Sequence, residues 1–446
     1  MIPTGMSEMM LGPMSGWGRH PIVTGRQRRS EDLEQATDGA VLSRGLGRSY
    51  GDAALPPPGD HVVAVTTGAN RLLSFDTEHG VVRAQAGASL EQLNRVLWCQ
   101  GWHVPSSPGT QRVTLGGMVA ADVHGKSHHS EGCFGEHVTA LRLRVADGRI
   151  LEVSDSSEPD LFWATLGGMG LTGHVLEVEF RLRPAPSPWI QAESERYRDI
   201  DSLIDALQSA SENWSYTVAW ADLLAPGRAR GRGVLERGRL ADPSEAPTAA
   251  PVSKRSFTVP LVMPLFSATT VRVANLTRYI ARSQVRRGIV HPESFFYPLD
   301  RLRHWNRLYG RRGFTQYQVV LPLRTARTSC RRVFDIIEKM GAAPLLCVLK
   351  DFRDEGKGML SFPKKGLSIA VDMAITDRTQ AVVDALNDFV AGEGGRVYLA
   401  KDALTRAEHF RAMEPRLDEW QRVRRKWDPT VTFRSALSVR LLGDPS

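Results

Sequence analysis

The chain has 446 residues, of which 42% are hydrophobic and 24% charged, a composition typical of globular enzymes. It excludes a wholly disordered, a collagen-like and a polytopic membrane protein. The formal net charge of +8 comes mostly from arginine and suits an anionic partner, whether a phosphate-bearing substrate, a lipid headgroup or nucleic acid. The four cysteines lie far apart without a CxxC pair, so we expect neither a disulfide framework nor a metal site.

The first part of the chain is predicted to contain many short strands. A strand at residues 40–43 precedes a glycine-rich turn, and a capping box at Ser89 opens a helix that Gly101 closes. Residues 138–153 alternate apolar and basic side chains around an Asp-Gly turn, which predicts an antiparallel hairpin. The same alternation predicts a half-buried strand over residues 176–182.

The second part of the chain alternates predicted strands with predicted helices. Strands are expected at residues 316–323, 366–373 and 396–400, and helices at residues 331–340 and 380–391. This order predicts an α+β fold in which a second domain is built on an antiparallel sheet.

Three breaks in composition divide the chain. Prolines recur through residues 184–188, where they cannot continue a helix or a central strand. Residues 241–253 are small and proline-rich, which predicts a mobile loop, and glycines end a helical run just before residue 396. The predicted units are residues 1–188, residues 189–395 and a C-terminal segment, residues 396–446.

The first candidate for a binding site is the glycine-rich sequence RGLGRSYG at residues 44–51. Its glycines permit positive φ angles, so successive main-chain N–H groups can turn toward one phosphate. Arg48 and Ser49 can add direct contacts with phosphate oxygens. The prolines that follow cannot begin a helix and no Walker lysine is present, which argues against a Rossmann or a P-loop site.

Two further stretches consist largely of glycine and small residues. Residues 108–126 contain PGT, TLGG and DVHGK, and residues 166–173 are LGGMGLTG. Such stretches let a flat ring system lie against the main chain, although each one alone is also typical of tight strand packing. Three of them in one predicted domain favour a large planar nucleotide cofactor.

In this order, RGLGRSYGD, PGTQRVTLGGMVAADVHGK and LFWATLGGMGLTG resemble the PCMH-type FAD-binding domain of the vanillyl-alcohol-oxidase family. The resemblance continues through YPLD at residues 297–300, GFTQYQ at 313–318 and YLAKD at 398–402. It is strongest to the branch that oxidises polyprenyl-phosphoryl ribose. It implies an FAD-binding first domain, a substrate-binding second domain and a C-terminal segment that returns to the first.

The resemblance also implies which residues hold FAD. Many relatives attach the flavin through a histidine in the first glycine-rich stretch, but Arg48 stands at that position here. Because a guanidinium is not a nucleophile and pairs well with phosphate, we expect FAD to be held non-covalently. The predicted cofactor residues are Ser43, Arg44, Gly45, Leu46, Gly47, Arg48, Ser49, Tyr50, Gly51, Asp52, Ala53, Gly109, Thr114, Leu115, Gly116, Gly117, Ala121, Asp122, Val123, His124, Leu176 and Tyr398.

Oxidation of a secondary alcohol requires a group that takes the hydroxyl proton. Lys401, at the end of the strand predicted over residues 396–400, is placed beside the flavin by the resemblance and is the leading catalytic candidate. It would act as a neutral base or, if charged, stabilise the alkoxide and the reduced flavin. Tyr50 and His124 are alternatives for the proton relay. From the residues alone, the favoured interpretation of Lys401 is a solvated lysine at a strand end, and that of His124 is a packing histidine.

The predicted substrate residues come mainly from the second domain. Gln316 and Gln318 share one strand face at i, i+2. Where the family has Asn and Cys, this chain has Ser368 and Ala370, so no thiol can act there. The candidates for the substrate phosphate or sugar hydroxyls are Lys126, Gln316 and Gln318, and those for the rest of the pocket wall are Lys350, Phe352 and Ala370.

The predicted function is FAD-dependent oxidation of the 2′-hydroxyl of a polyprenyl-phosphoryl-β-D-ribose, the first half of an epimerisation that makes the arabinose donor for cell-wall polysaccharide. The alternative of the same class is a sugar, alditol or aldonolactone oxidase with a soluble substrate. A basic nucleic-acid-binding protein is a third possibility, but the one clustered basic run, residues 422–426, fits a helix surface, so no nucleic-acid partner is expected. Expected partners are an NAD(P)H-dependent short-chain reductase and a quinone or other electron acceptor.

The location is predicted from the N-terminus and the uncharged segments. Residues 1–16 lack a basic stretch followed by an apolar one, so no secretory signal is expected. The longest uncharged segments, residues 161–176 and 256–271, are too short and too broken to span a bilayer. We interpret the second as a buried strand with a loop, with lipid contact as the alternative. The chain is expected in the cytoplasm or peripherally at the inner membrane, with the periplasmic face left open.

Overall fold

The computed structural model describes residues 7–249, 251–252, 255–281, 285–342 and 344–446. The first part of the chain forms a four-stranded, a five-stranded and a two-stranded sheet. Its strands are β1 (Glu8–Ser15), β2 (Ile22–Arg29), β3 (Leu42–Arg44), β4 (Val62–Val65), β5 (Leu72–Asp76), β6 (Val81–Gln85), β7 (Trp102–His103), β8 (Val138–Arg144), β9 (Ile150–Val153), β10 (His174–Arg181) and β11 (Arg183–Pro184). Its helices are α1 (Leu33–Thr37), α2 (Leu90–Leu97), α3 (Leu115–Ala120), α4 (His128–Glu131) and α5 (Pro159–Thr165).

The five-stranded sheet contains the predicted hairpin. Its strand order is β5-β6-β10-β8-β9, and β8 pairs with β9 in antiparallel register, Leu141 opposite Val153. Leu141 and Leu143 are fully buried, while the basic residues that alternate with them, Arg142 and Arg144, are only half-buried. The alternation in the sequence therefore reflects a strand with one buried face. The predicted antiparallel hairpin is confirmed. The strand predicted over residues 176–182 is β10, which begins two residues earlier.

The four-stranded sheet has the order β1-β2-β4-β3. The predicted strand at residues 40–43 is β3, shifted by two residues toward the glycine-rich stretch. The capping box of α2 is also confirmed, because Ser89 Oγ accepts from Gln92 N at 3.2 Å and Gln92 Oε1 accepts from Ser89 N at 2.9 Å. After a short 3₁₀ turn, Gly101 takes the left-handed conformation at φ 76°.

The second part of the chain forms one large sheet, a separate two-stranded sheet and helices. Its strands are β12 (Ile190–Tyr197), β13 (Tyr216–Ala221), β14 (Gly233–Leu240), β15 (Phe257–Thr258), β16 (Val285–Val290), β17 (Leu302–Arg303), β18 (Phe314–Pro322), β19 (Cys347–Phe352), β20 (Gly366–Ala374) and β21 (Arg396–Val397). Its helices are α6 (Ile200–Asn213), α7 (Ala268–Ala281), α8 (Pro292–Phe296), α9 (Ala326–Lys339), α10 (Thr379–Gly392), α11 (Ala407–Met413), α12 (Leu417–Trp427) and α13 (Ala436–Leu442).

The large sheet is antiparallel, with eight strands in the order β16-β12-β14-β13-β19-β20-β18-β21. Helices α6, α9 and α10 pack against it. Side chains alternate along each strand: Tyr317 on β18 reaches α10, where its hydroxyl donates to Asn387 Oδ1 at 2.9 Å. The neighbours Gln316 and Gln318 therefore face the opposite side. The predicted α+β fold with an antiparallel sheet is confirmed.

The C-terminal helices contact the first part of the chain. The indole Nε1 of Trp420 on α12 donates to Ala164 O at 2.9 Å, and Arg440 on α13 forms an ion pair with Asp52 at 2.8 Å. Trp420 is completely buried in this contact. These contacts link the two ends of the chain, while the predicted unit boundaries at residues 188 and 395 stay predictions.

The strand predicted over residues 396–400 is wrong beyond its second residue. Only β21 pairs with the sheet, and the chain then turns, with Lys401 N donating to Tyr398 O at 3.0 Å. The turn has a physical cause: Ala400 O accepts from Tyr50 N at 2.9 Å, so the chain leaves the sheet to reach the first glycine-rich stretch. Lys401 thus lies in a turn.

The buried strand predicted within residues 256–271 is also wrong. Only β15 is a strand, and Phe257 and Leu261 are 68% and 62% exposed. Helix α7 begins at Ala268, where a loop was expected. No layer of the described structure covers these apolar side chains, so their hydropathy misled the prediction. Of the loop predicted at residues 241–253, residues 250 and 253 lie outside the described residues.

Among the described residues, no helix combines the length and the hydropathy that a membrane crossing requires.

Candidate active site

A cavity of about 530 Å³ lies between the glycine-rich stretches and the large sheet. All three stretches line it: the first from Gly45 to Tyr50, the second through Gly109, Thr114 and the following glycines, and the third from Met169. Its volume falls in the range of small-molecule and cofactor sites. The stretches that the sequence singled out separately thus form one site.

The first stretch meets only part of what the predicted phosphate nest requires. Gly47 adopts φ 63°, and within the described part of the chain the N–H groups of residues 46–49 donate to no main-chain acceptor. Gly45 and Gly51 do not have positive φ angles, contrary to our expectation. They are glycine because of close packing: a Cβ on Gly45 would lie 2.1 Å from Thr114 Oγ1, and one on Gly51 would lie 2.0 Å from Asp402 O.

The second and third stretches form the adjoining wall. Helix α3 presents Gly116, Gly117 and Ala120 to the cavity at helical spacing. Met169 N of the third stretch donates to Ala120 O at 2.8 Å, which holds the third stretch against the second. This wall therefore exposes mainly main-chain atoms, as a bound planar ring requires.

The opposite wall is one face of the large sheet. Gln316 and Gln318 on β18, Lys350 on β19 and Ala370 on β20 all line the cavity. Their registers place them side by side, since Gln318 lies opposite Ala370 and Lys350 opposite Ser368. The Gln318 amide nitrogen is 3.0 Å from His124 Nε2 and 3.3 Å from Ser368 Oγ. The sheet thus contributes amide and ammonium groups to a cavity whose other wall has few side chains.

A buried carboxylate, Asp372, lies behind this wall and was missed by the sequence analysis. It lies opposite Gln316, whose amide nitrogen donates to Oδ1, and Tyr309 donates to Oδ2 at 3.3 Å. Burial raises the pKa of Asp372 to about 6, although the charge of Lys401 opposes the rise. One signal was available: Ser368, Ala370 and Asp372 alternate on one strand and must share a face.

Lys401 lies at the junction of the two walls. Its Nζ is 3.7 Å from the centroid of the Tyr50 ring, and its side chain lines the cavity. Burial lowers the pKa of Lys401 to about 7; Asp372 acts against this shift and Lys350 adds to it. Burial and the charge of Lys126 lower the pKa of Lys350 to about 8. Lys401 therefore exchanges a proton near neutral pH.

The two alternative relay residues have pKa values far from neutral. Burial raises the pKa of Tyr50 well above its usual value, with Asp372 adding to the shift. Burial lowers the pKa of His124 well below its usual value, and the charge of Lys350 lowers it further. Tyr50 is thus a protonated phenol and His124 a neutral imidazole at pH 7. Because a general base works best with a pKa near the working pH, Lys401 is the most suitable of the three.

The cavity carries an excess of positive charge. Arg48 lies over the Trp17 ring at 4.2 Å and donates to Arg112 O at 3.0 Å. Burial lowers its pKa to about 10, so it stays charged at neutral pH. The acidic residues on the wall are Glu236 and Asp300. The basic residues on the wall are Arg48, Arg112, Lys126, Arg278, Lys350 and Lys401.

Most of the predicted site residues line this cavity, and their roles stay predictions. Those on the wall are Ser43, Gly45, Leu46, Gly47, Arg48, Ser49, Tyr50, Ala53, Gly109, Thr114, Gly116, Gly117, Ala121, Val123, His124, Lys126, Gln316, Gln318, Lys350, Ala370, Tyr398 and Lys401. Seven lie behind the wall: Arg44, Gly51, Asp52, Leu115, Asp122, Leu176 and Phe352.

The residues behind the wall support it. Arg44 donates to Ser15 O at 2.7 Å, and Asp122 accepts from Gly135 N at 2.8 Å. Leu176 O accepts from Ala86 N at 2.8 Å. Phe352 packs edge-on against His124, with 5.0 Å between the ring centroids, and so orients a wall residue without reaching the cavity itself.

The second part of the chain adds residues that the sequence analysis did not select. Asp300 accepts from Thr110 Oγ1 at 2.7 Å and from Gln111 N at 2.9 Å, which ties it to the second glycine-rich stretch. Trp220 on β13 also lines the cavity. Both residues become part of the site only through the packing of the second part of the chain against the glycine-rich wall, which no local pattern indicates.

Comparison with known proteins shows which family the chain belongs to and which cofactor that family binds. Residues 33–154 match a family described as an FAD binding domain. Over 448 aligned positions, 96% of this chain and 97% of the relative, the chain is 35% identical to decaprenylphosphoryl-beta-D-ribose oxidase of Mycolicibacterium smegmatis. The chain belongs to the decaprenylphosphoryl-β-D-ribose oxidase family.

Other relatives are similar over different lengths. An uncharacterized protein of Streptomyces coelicolor is 33% identical over 79% of this chain and 99% of its own length. Delta(24)-sterol reductase of Homo sapiens is 28% identical over 30% of this chain and 25% of its own length. Membership of the decaprenylphosphoryl-β-D-ribose oxidase family confirms the resemblance inferred from the sequence. The protein is an FAD-dependent oxidoreductase.

The cavity fits the cofactor of this family. The N–H groups of residues 46–49 have no main-chain acceptor and belong to residues that line the cavity, so they are available to a pyrophosphate, and the cationic wall suits its charge. Gly116 and Gly117 on the cavity face of α3 have no side chain, so they leave open the space that larger residues would fill. Residues 43–53 contain neither histidine nor cysteine. The residues that would hold FAD are therefore those of the first two stretches, with Tyr398 beyond them.

Proposed function

We propose that the chain oxidises the 2′-hydroxyl of a polyprenyl-phosphoryl-β-D-ribose to a ketone, as the first half of an epimerisation. The similarity to decaprenylphosphoryl-beta-D-ribose oxidase over nearly the whole chain supports this substrate class. The observation that carries the proposal is Lys401, a buried amine with a pKa of about 7 where the glycine-rich wall meets the sheet. An alcohol oxidase needs such a group beside its flavin.

The proton of the substrate hydroxyl goes to Lys401. When bound, FAD supplies the acceptor for the two electrons that leave with the C2′ hydrogen. Neutral Lys401 Nζ takes the hydroxyl proton as the carbon–oxygen bond becomes a carbonyl. Asp372 stabilises the ammonium that results, because its charge raises the pKa of Lys401. Tyr50 lies under the amine and, as a protonated phenol, holds it in place without competing for the proton.

The substrate is held by the sheet wall. Gln316 and Gln318 offer amide groups to the ribose hydroxyls from one strand face. Lys126 interacts with Glu236 at 3.7 Å, and with Lys350 it brings positive charge for the substrate phosphate. Ala370 leaves room beside them. FAD is held non-covalently in this proposal, with Arg48 beside its phosphates.

The partners and location follow from the chemistry of this proposal. A keto sugar that is to be epimerised must be reduced again, so we propose an NAD(P)H-dependent short-chain reductase as the next enzyme. The reduced flavin needs a quinone or another electron acceptor. A prenyl-phosphate substrate resides in a membrane, so we propose that the protein works peripherally at the inner membrane.

The proposal is tested by anaerobic reduction of the flavin. Polyprenyl-phosphoryl ribose in detergent micelles is expected to bleach the flavin absorbance near 450 nm and to yield one keto sugar per flavin, while free ribose, alditols and aldonolactones leave it oxidised. Bleaching by soluble sugars at the same concentration, without bleaching by the prenyl-phosphoryl ribose, would instead identify a soluble-carbohydrate oxidase and contradict the proposal.

A further inference from the structure

Exposed apolar side chains concentrate in one segment beside the cavity. Of the twenty large apolar residues that the described chain exposes, eleven lie between residues 252 and 302. Large exposed apolar patches on a folded protein mark interaction surfaces. This segment is about a ninth of the sequence, so its share of the exposed apolar residues requires an explanation.

Helix α7 exposes an apolar stripe. Val273 and Ile280 are 61% and 62% exposed and Leu276 is 43% exposed, at the i, i+3, i+7 spacing of one helix face. The opposite face is held by the protein: Val271 is fully buried and Asn275 donates to Asp222 Oδ1 at 3.0 Å. A helix at the surface normally turns its polar side to water. Helix α7 instead turns apolar side chains outward, while its opposite face is buried against the protein.

The segment before α7 continues the same surface. Residues 257–265 run along residues 302–308, with Val259 N donating to Arg303 O at 2.9 Å and Leu265 N donating to Leu308 O at 3.0 Å. These main-chain bonds fix the backbone while its apolar side chains stay exposed. We call the resulting surface the apolar face; its residues are Phe257, Leu261, Leu265, Val273, Leu276 and Ile280.

The segment that carries the apolar face is rich in arginine. Residues 255–312 contain eleven arginines, no lysine and only two acidic residues, a formal charge of +9 against +8 for the whole chain. Acids from outside the segment pair with two of these arginines, Arg287 with Glu193 and Arg312 with Asp377. Arg255 and Arg272 are themselves exposed. An apolar face with exposed arginines in the same segment is complementary to anionic headgroups above an acyl layer.

The apolar face adjoins the mouth of the cavity. Arg278, on α7, lines the cavity and lies over the Trp220 ring at 4.4 Å. Leu299 and Leu302 line it too and are 40% and 37% exposed, so they belong to the rim. Leu302 pairs with Phe257 of the apolar face through β17 and β15. A surface resting on the apolar face would therefore meet the cavity opening.

We propose that the apolar face docks on the surface of an anionic phospholipid bilayer and presents the cavity mouth to it. The side chains of α7 and of residues 257–265 enter the headgroup–acyl boundary, and the arginines pair with lipid phosphates. This inference rests on the proposed function for its purpose, because a prenyl chain then need not leave the bilayer while its sugar enters the cavity. Nucleic acid would use the arginines but not the apolar stripe.

The test is co-sedimentation of the FAD-loaded protein with vesicles of phosphatidylcholine containing about 30 mol % phosphatidylglycerol. The parent is expected to bind, with binding weakened by salt and by the removal of phosphatidylglycerol. Val273→Gln with Ile280→Gln is expected to reduce partitioning at least about tenfold. The matched control is Leu11→Gln with Ile22→Gln, two residues that are 72% and 58% exposed on the first sheet, and it is expected to bind as the parent does.

Flavin absorbance and reduction by micellar substrate, unchanged in both double variants, show that each is folded. Absence of vesicle binding by the parent, or equal loss in the test and control variants, would overturn the docking surface. The proposal would also be overturned if the protein bound a short duplex DNA and vesicles did not displace that DNA. The proposed function fails separately, if micellar polyprenyl-phosphoryl ribose leaves the flavin oxidised while vesicle binding persists.

Discussion

The two walls of the cavity are built in opposite ways. The glycine-rich wall exposes main chain, with α3 offering Gly116 and Gly117 and the first stretch offering N–H groups. The sheet wall exposes functional side chains, among them Gln318 and Lys350, on neighbouring antiparallel strands. The first wall suits a cofactor that must lie flat, and the second suits a substrate that must be held and deprotonated. We therefore expect that substitutions on the glycine-rich wall change cofactor binding, and that substitutions on the sheet wall change substrate oxidation.

The largest effect is expected at the junction of the walls. Lys401→Met keeps the length of the side chain and removes the amine, so the rate of anaerobic flavin reduction should fall about 10³-fold. FAD content should be unchanged, since the cofactor lies against the other wall. The matched control is Lys357→Met, which replaces an exposed lysine and should leave the rate unaltered. Reduction of the Lys401 variant at the parental rate would remove Lys401 from its role.

The glycine-rich wall is tested by a side chain placed where none exists. At Gly117 a Cβ would meet only Thr114 Oγ1, at 3.2 Å, so Gly117→Leu fills the cavity with little disturbance of the chain. We expect FAD per protein, measured by absorbance, to fall at least about tenfold. Gly392→Leu is the control: it lies at the end of α10, where a Cβ meets nothing within 4 Å, and should keep full FAD content. Equal FAD content in the two variants would contradict the assignment of this wall.

The sheet wall is tested through the pH dependence of flavin reduction. Because neutral Lys401 accepts the proton, the rate at saturating substrate should rise as pH passes through about 7. Asp372 raises the pKa of Lys401, so Asp372→Asn should move the midpoint about one unit lower. Lys350 lowers that pKa, so Lys350→Met should move the midpoint higher. A rate that falls through pH 7 would show that the ammonium form is the active one.

The two walls also differ in how far the sequence predicted them. The glycine-rich wall was predicted well, because glycine spacing and order are local properties that survive folding. Even there the reason was partly wrong, since Gly45 and Gly51 are required by close packing with Thr114 and Asp402 and not by positive φ. Close packing depends on distant segments, which spacing does not reveal.

The sheet wall was predicted only in part. Gln316 and Gln318 follow from strand alternation, but Asp372 enters the site through its register with Gln316, a pairing across 56 residues. The prediction of a buried strand in residues 256–271 was wrong because it also depended on a distant layer, which in this case is absent from the described structure. Hydropathy indicates burial only if another layer exists, and the layer for the apolar face lies outside the chain in our proposal.

The most direct test of the central claim is the fate of the flavin when protein purified gently is precipitated with acid. We expect about one FAD per chain, all of it released into a yellow supernatant above a colourless pellet, because Arg48 holds phosphate and forms no bond to the ring. A yellow pellet would contradict non-covalent binding. Folded protein that carries no FAD and takes none up would contradict the site itself.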